Sequence, residues 1–239
     1  MKEQCPQCGS YELEELDEQR RQCLRCFHES IRAITPEEDL STITPAEDTP
    51  PPVLDLEDLL ESLVRIKAPH GTGTGFFIEP AGYVLTNAHV VGDETIVQAT
   101  IGESTRVVEL ELRADGRAME LDLALLEVLD DAFPPPLKFS PDKTTLGETT
   151  YALGNPKNIG LSVTKGSVAR IKGDAMQLNM TLNPGNSGGP VVNEQGLVIG
   201  VVSYLLEEVQ GMGFAISNQA IQRFLTNALN SGKEDKEDV

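Results

Sequence analysis

Gly71-Thr72-Gly73-Thr74-Gly75-Phe76-Phe77-Ile78 is followed, after Glu79-Pro80-Ala81, by Gly82-Tyr83-Val84-Leu85-Thr86-Asn87. Two runs rich in β-branched and aromatic residues, separated by turn formers, read as neighbouring β-strands. The same grain continues on both sides. Runs of Val, Ile, Leu and Thr broken by Gly, Pro, Asn and Asp predict strands over 63–68, 74–79, 83–87, 95–101, 105–113, 121–129, 149–153, 161–172, 176–182, 189–193, 197–204 and 212–216. Many short strands with regular turn punctuation indicate an all-β sandwich or barrel. The helix-length connections of a parallel α/β sheet are missing. One short helix is predicted over 55–62, with Asp55 as N-cap and Leu56, Leu59 and Leu60 on one side. A second closes the chain, capped by Ser217, with Ile221, Phe224, Leu225 and Ala228 as its apolar stripe. It is expected to stop near Asn230-Ser231-Gly232.

The chain has 239 residues, enough for one substantial domain plus something small. Apolar residues make up 39% and charged residues 24%, ordinary values for a soluble domain. Its 38 acids against 19 Lys and Arg give a formal charge of −19. That balance argues against a nucleic-acid binder, whose affinity rests on neutralising phosphates, including a zinc-ribbon nucleic-acid module with a passenger domain, and against docking on an anionic membrane. No apolar stretch approaches a membrane span. Met1-Lys2-Glu3-Gln4-Cys5 has neither the apolar core nor the cleavage site of a secretory signal, so the expected location is the cytoplasm.

All four cysteines lie in the first 26 residues, as Cys5-Pro6-Gln7-Cys8-Gly9 and Cys23-Leu24-Arg25-Cys26. Each pair sets two thiolates on one tight turn, and the four together satisfy a tetrahedral Zn²⁺ with no open position. Cys5, Cys8, Cys23 and Cys26 are therefore expected to hold one structural zinc, with iron as the competing metal. A unit of this size cannot build an adequate core, so metal binding supplies its folding energy. Phe27 separates Cys26 from His28, which excludes a haem attachment site, and the βαβ setting of a thioredoxin-like dithiol is absent. His28 reads as a surface residue. Residues 1–34 resemble the zinc ribbons at the N-termini of many bacterial proteins, which often serve as partner-binding or assembly modules. A protein partner or self-association through the ribbon follows as an expectation. Five basic residues (Lys2, Arg20, Arg21, Arg25, Arg32) stand against seven acids (Glu3, Glu12, Glu14, Glu15, Asp17, Glu18, Glu29), a poor basis for reading DNA.

Residues 35–54 carry Pro36, Pro45 and Pro50-Pro51-Pro52 among acids, with no Lys or Arg between Arg32 and Arg65. This composition predicts an extended acidic linker. The main domain then spans 55–230, and 231–239 is a charged tail.

Candidate chemistry begins at Asn183-Pro184-Gly185-Asn186-Ser187-Gly188-Gly189-Pro190. Three glycines around one serine let several backbone N–H groups converge on one point, an arrangement suited to acyl transfer. The competing reading is a glycine-rich hairpin with an incidental serine. A nucleophilic serine needs a base. His70 sits in the loop Pro69-His70-Gly71, whereas His89 ends the apolar run Tyr83–Val91. A carboxylate should orient that imidazole. Asp122, in Leu121-Asp122-Leu123-Ala124-Leu125-Leu126, is the candidate, and strand alternation puts it on the face of Glu120 and Ala124. Asp93, Asp115, Asp130 and Asp131 lie in turn-like segments and read as solvated.

These blocks resemble the HtrA/Deg branch of trypsin-like serine proteases over about residues 60–230. Gly71–Ile78 with Gly82–Val91 is similar to its His block, Asp122–Leu126 to its Asp block, Asn183–Pro190 to its Ser block and Gly211–Ile216 to its final strand. Gly154-Asn155-Pro156 and Val163–Val168 are similar to an intervening stretch. The resemblance implies two six-stranded β-barrels, a mainly β trypsin-like fold with a C-terminal helix. His89 and Asp122 would come from the first barrel and Ser187 from the second. It implies a serine endopeptidase acting on protein or peptide substrates. Ser187 would be the nucleophile, His89 the base and then the acid, and Asp122 the group that holds His89. The amides of Gly185 and Ser187, with that of Asn186 as a third, would form the oxyanion hole, and no cofactor would serve catalysis. The alternative is an inactive scaffold that binds partners through cleft and ribbon; the intact His89–Asp122–Ser187 set speaks against it.

The chain departs from that pattern in two places. Only about 23 residues follow Ile216, so no PDZ domain is expected after the protease. Before the Ser block stands Leu178-Asn179-Met180-Thr181-Leu182, where the family often has Thr-Asp-Ala-Ala-Ile. In trypsin-like folds the floor of the primary specificity pocket lies about six residues before the nucleophile, here Thr181, with Leu182 beside it. A neutral floor offers Lys or Arg no counter-charge, which predicts cleavage after a small or medium apolar residue.

Overall fold

The computed structural model describes residues 13–15, 20–23, 29–31, 54–69, 71–130, 133–156, 159–203 and 212–234. The chain divides into two units, Met1–Pro51 and Pro52–Val239. In the first, β1 (Leu13–Glu15), β2 (Arg20–Cys23) and β3 (Glu29–Ile31) form an antiparallel meander in which Leu13 faces Cys23 and Arg20 faces Ile31. Cys5, Cys8, Cys26 and His28, with the linker up to residue 53, lie outside the described residues.

The second unit opens with helix α1 (Leu56–Glu61). Asp55 caps it as the sequence requires: its Oδ1 accepts from the amides of Glu57 at 3.0 Å and Asp58 at 3.4 Å. Six strands follow: β4 (Leu63–Ala68), β5 (Gly71–Ile78), β6 (Tyr83–Thr86), β7 (Ile96–Ile101), β8 (Val107–Asp115) and β9 (Ala124–Val128). They close into an antiparallel barrel in the order β4-β5-β6-β9-β8-β7. Six more, β10 (Thr149–Gly154), β11 (Ser162–Lys172), β12 (Ala175–Leu178), β13 (Pro190–Val192), β14 (Val198–Val202) and β15 (Gly213–Ser217), close a second barrel in the order β10-β11-β12-β15-β14-β13. Closure removes the sheet edges that two open sheets of this size would expose.

Alternation along the strands explains why the barrels adhere. Phe77 of β5 points into the first barrel with Val64, Val84 and Leu126. Its neighbours Phe76 and Ile78 point the other way, into a shared core with Leu153, Val192, Val198 and Val201 of the second barrel. Helix α3 (Asn218–Glu234) adds Ala220, Ile221, Phe224 and Leu225 to that shared core. Ser217 Oγ accepts from the Ala220 amide at 3.4 Å, the expected cap.

The differences from the sequence reading sit at element ends. Helix α3 runs to Glu234, through the expected stop near Asn230-Ser231-Gly232. The apolar run Tyr83–Val91 is not one strand: it breaks at Asn87 into helix α2 (Ala88–Val91). The run 121–129 begins as strand only at Ala124, so Asp122 lies in the approach to β9 and strand alternation does not set its side. Among the described residues no helix is long and apolar enough to cross a membrane.

Candidate active site

Helix α2 is a single turn with three buried side chains, Ala88, Val90 and Val91; only His89 is turned outward. A strand continuation would have buried alternate residues, whereas the helical turn buries its flanks and presents one imidazole. Asp122 is threaded between buried Leu121 and Leu123, so its side chain has little freedom. Its Oδ2 lies 2.7 Å from His89 Nδ1, and its Oδ1 accepts from the His89 amide at 3.0 Å. Asn87 Nδ2 donates to the Asp122 carbonyl at 2.8 Å, which fastens the backbone behind the pair. Both side chains retain access to solvent, 30% for His89 and 19% for Asp122. With Nδ1 against a carboxylate, the ring carries its neutral-state proton there, leaving Nε2 as the basic nitrogen.

Ser203, just past β14, also donates to Asp122: its Oγ is 3.0 Å from Oδ2 and only 2% of the residue is exposed. Sequence reasoning missed this residue. It ends a run of valines, and nothing in Val201-Val202-Ser203 distinguishes a functional serine from a strand-end one. The contact crosses from the second barrel to the first.

Ser187 is reached from the other side. Its carbonyl accepts from the Thr74 amide of β5 at 2.9 Å. A side chain at Gly73 would meet Val90, next to His89, and the Ser187 carbonyl. One at Gly188 would collide with Thr74, Thr86 and the Asn87 amide. The serine turn is thus pressed against the elements that carry His89. No hydrogen bond joins Ser187 to His89 here; such contacts are often loose before substrate binds.

The peptide groups of this turn are nearly all committed. The Asn186 amide donates to Asn183 O at 3.0 Å, Gly188 to Val202 O at 3.0 Å and Gly189 to Asn186 O at 2.9 Å. The expected third oxyanion donor, Asn186, is therefore spent within the turn. The amides of Gly185 and Ser187 have no acceptor among the described residues, although both residues are buried. Gly185 has φ of 98°, a left-handed conformation that glycine alone adopts freely. Two unpaired N–H groups beside one serine hydroxyl are what a developing oxyanion requires.

Arg117 ties down the far end of α2. Its Nη2 donates to Gly92 O at 3.1 Å, its Nη1 lies 3.2 Å from Asp93 Oδ1 and its Nε donates to Asp115 Oδ2 at 2.7 Å. Asp115 is thus paired and largely shielded, whereas Asp93 meets Arg117 with its side chain still open to solvent, as the sequence reading expects. Burial would raise the Asp115 carboxyl, but hydrogen bonds and charge from Arg117 outweigh it and hold the group below its usual range. Asp115 in turn, with Asp93, raises the Arg117 guanidinium.

Thr181 is exposed, and Leu182 lies half-buried against Gly213, while Met180 enters the second barrel's core. Residues 204–211, which follow Ser203, lie outside the described residues. Cys23 closes β2, and the other three cysteines are outside the description. Among the described residues no cluster of His, Cys, Asp and Glu is arranged to hold a metal ion.

Two closed antiparallel six-stranded barrels with a histidine–carboxylate pair on the first and a glycine-framed serine on the second define the architecture of trypsin-like peptidases. The chain belongs to that family: the trypsin-like peptidase domain matches residues 73–201, more than half of the sequence. It is 34% identical over 175 residues to HhoB of Synechocystis sp., named a serine protease, covering 68% of this chain and 41% of that protein. It is 30% identical over 174 residues to a DegP-like periplasmic serine endoprotease of Chlamydia pneumoniae, covering 67% of this chain and 35% of that one. This chain therefore spans about two fifths or less of the length of these relatives. Among solved structures, the serine endoprotease of Yersinia pestis superposes with a TM-score of 0.66 at 27% identity, over 74% of this chain and 66% of that one. The Rv3671c protease in its inactive form gives 0.62 at 27% identity, over 74% and 92%.

Proposed function

We propose that this chain is a serine endopeptidase that hydrolyses peptide bonds through His89, Asp122 and Ser187. The observation that carries the reading is the Asp122 carboxylate bonded to His89 Nδ1 at 2.7 Å beside a serine turn whose Gly185 and Ser187 amides lack acceptors among the described residues. His89 Nε2 takes the Ser187 proton as Oγ attacks the scissile carbonyl. The oxyanion is held by the N–H groups of Gly185 and Ser187. His89, positively charged at that stage, is stabilised by Asp122 and then gives its proton to the leaving amine. Water, deprotonated by the same imidazole, attacks the acyl-enzyme and releases the carboxylate product with Ser187 restored.

The neutral character of Thr181 and Leu182 favours a small or medium apolar residue before the cleaved bond. A peptide library tests both statements. Cleavage that disappears in Ser187→Ala and falls after Val, Ala or Leu is expected; dominant cleavage after Arg or Lys overturns the specificity.

Residues 1–34 are read as a zinc ribbon. The three-stranded meander supports it: Cys23 ends β2, so Cys23-Leu24-Arg25-Cys26 opens the connection to β3, and Cys5 and Cys8 precede β1. Four thiolates suit a structural Zn²⁺, which supplies a cross-link to a unit too small for its own core. The same thiolates favour a reducing compartment, the cytoplasm, and the ribbon is the candidate surface for a protein partner or self-association.

A further inference from the structure

We propose that Thr74 is a positioning residue for the oxyanion hole, acting through its hydroxyl; this rests on the endopeptidase reading and deepens it. Thr74 lies on β5 of the first barrel and is fully buried. Its Oγ1 donates to the Gly185 carbonyl of the second barrel at 2.7 Å. The Asn155 amide donates to the same Oγ1 at 3.0 Å. A hydroxyl has one proton and two acceptor sites. With the Asn155 N–H occupying an acceptor site, the rotor is fixed and its proton is directed at Gly185 O. The Thr74 backbone does a second service, its N–H holding Ser187 O at 2.9 Å.

These contacts decide how the nucleophile turn presents its amides. The Gly185–Asn186 peptide is gripped at both ends, by Thr74 at the carbonyl and by Asn183 O at the N–H. The Ser187–Gly188 peptide is gripped by the Thr74 amide and by Val202 O. Glycine at 185, with φ of 98°, has no side chain to resist rotation of the plane on either side. Without the hydroxyl, only the Asn183 contact would oppose rotation of the Gly185–Asn186 peptide, and the orphaned Gly185 carbonyl would turn to find a donor. The Gly185 and Ser187 N–H groups would then lose their common aim. A Cβ at Gly73 would meet Val90 and Ser187 O. Strand β5 thus approaches the serine turn closely, with one hydroxyl between them.

The test compares Thr74→Val, which keeps shape and loses the hydroxyl, Thr74→Ala, which loses both, and Thr74→Ser, which keeps the hydroxyl. The expected result is a fall in kcat of about 10- to 100-fold for the Val and Ala variants, with KM within about twofold. Thr74→Ser should restore kcat to within about threefold of wild type, which a packing role would not predict. Wild-type kcat in Val or Ala, a loss in Ser as deep as in Val, or failure of both Val and Ala to fold would each overturn the proposal. Hydrogen exchange of the segment 183–189 separates this from the parent reading. If the wild-type chain cleaves nothing, the endopeptidase reading fails on its own. Faster exchange in that segment of Thr74→Val, with the rest of the second barrel unchanged, would still support the positioning role, and unchanged exchange would overturn it.

Discussion

The Asp122 carboxylate accepts from the His89 amide and the Ser203 hydroxyl and lies against His89 Nδ1, so its orientation is over-determined. Hydrogen bonds to a charged acceptor contribute about 1.5–3 kcal/mol. Ser203→Ala is therefore expected to lower kcat/KM roughly tenfold while leaving the fold intact, measured by steady-state hydrolysis alongside thermal melting. An unchanged rate would mean that the two His89 contacts suffice. His89, Asp122 and Ser187 were legible because each residue type is rare in its surroundings: a histidine ending an apolar run, an acid inside one, a serine ringed by glycines. Ser203 and Thr74 were not, because a buried hydroxyl declares its role only through a partner distant in the chain, Asp122 at 81 positions and Gly185 at 111.

Short elements set those residues in place. The strand pattern was readable because β-branched and aromatic runs alternate with turn formers, but His89 illustrates its limit. An apolar run of nine residues fits a strand or a turn of helix equally; here the turn is closed by Gly92, which at φ of 67° donates its amide to Ala88 O. Gly188 shows how closely the serine turn abuts β5 and β6. It combines φ of 82° with backbone of Thr74 and Asn87 where a Cβ would sit. Gly188→Ala should destabilise the domain by at least about 3 kcal/mol in chemical denaturation and abolish hydrolysis. The Arg117 clamp on α2 gives a pH signature. Because Asp115 is depressed below its ordinary 3.8, its contribution to stability is present above that value and is lost as pH falls through the folded-state value. Asp115→Asn keeps the cap to the Arg117 amide but not the charge. Its melting temperature should fall below wild type at pH 6–7, and the gap should narrow as pH falls through the folded-state value of Asp115. A gap independent of pH would remove the ion pair from the account.

At the scale of the whole molecule, two readings rest on different physics. The larger unit buries an extensive apolar core, part of it shared by its two barrels, and that burial drives its folding. The smaller unit is read as depending on four thiolates. Metal analysis should find one zinc per chain, and Cys5→Ser with Cys8→Ser should eliminate it while peptide hydrolysis persists. Loss of hydrolysis on metal removal would tie the two units together. The central claim is that a hydroxyl, an imidazole and a carboxylate converge beside two free amides and are competent for acyl transfer. The most direct test is intact-mass and peptide-mapping analysis after exposure to a serine-reactive fluorophosphonate. One adduct per chain, on Ser187 and absent from Ser187→Ala, is predicted; no adduct on the wild-type chain, or an equal one on the variant, would contradict it.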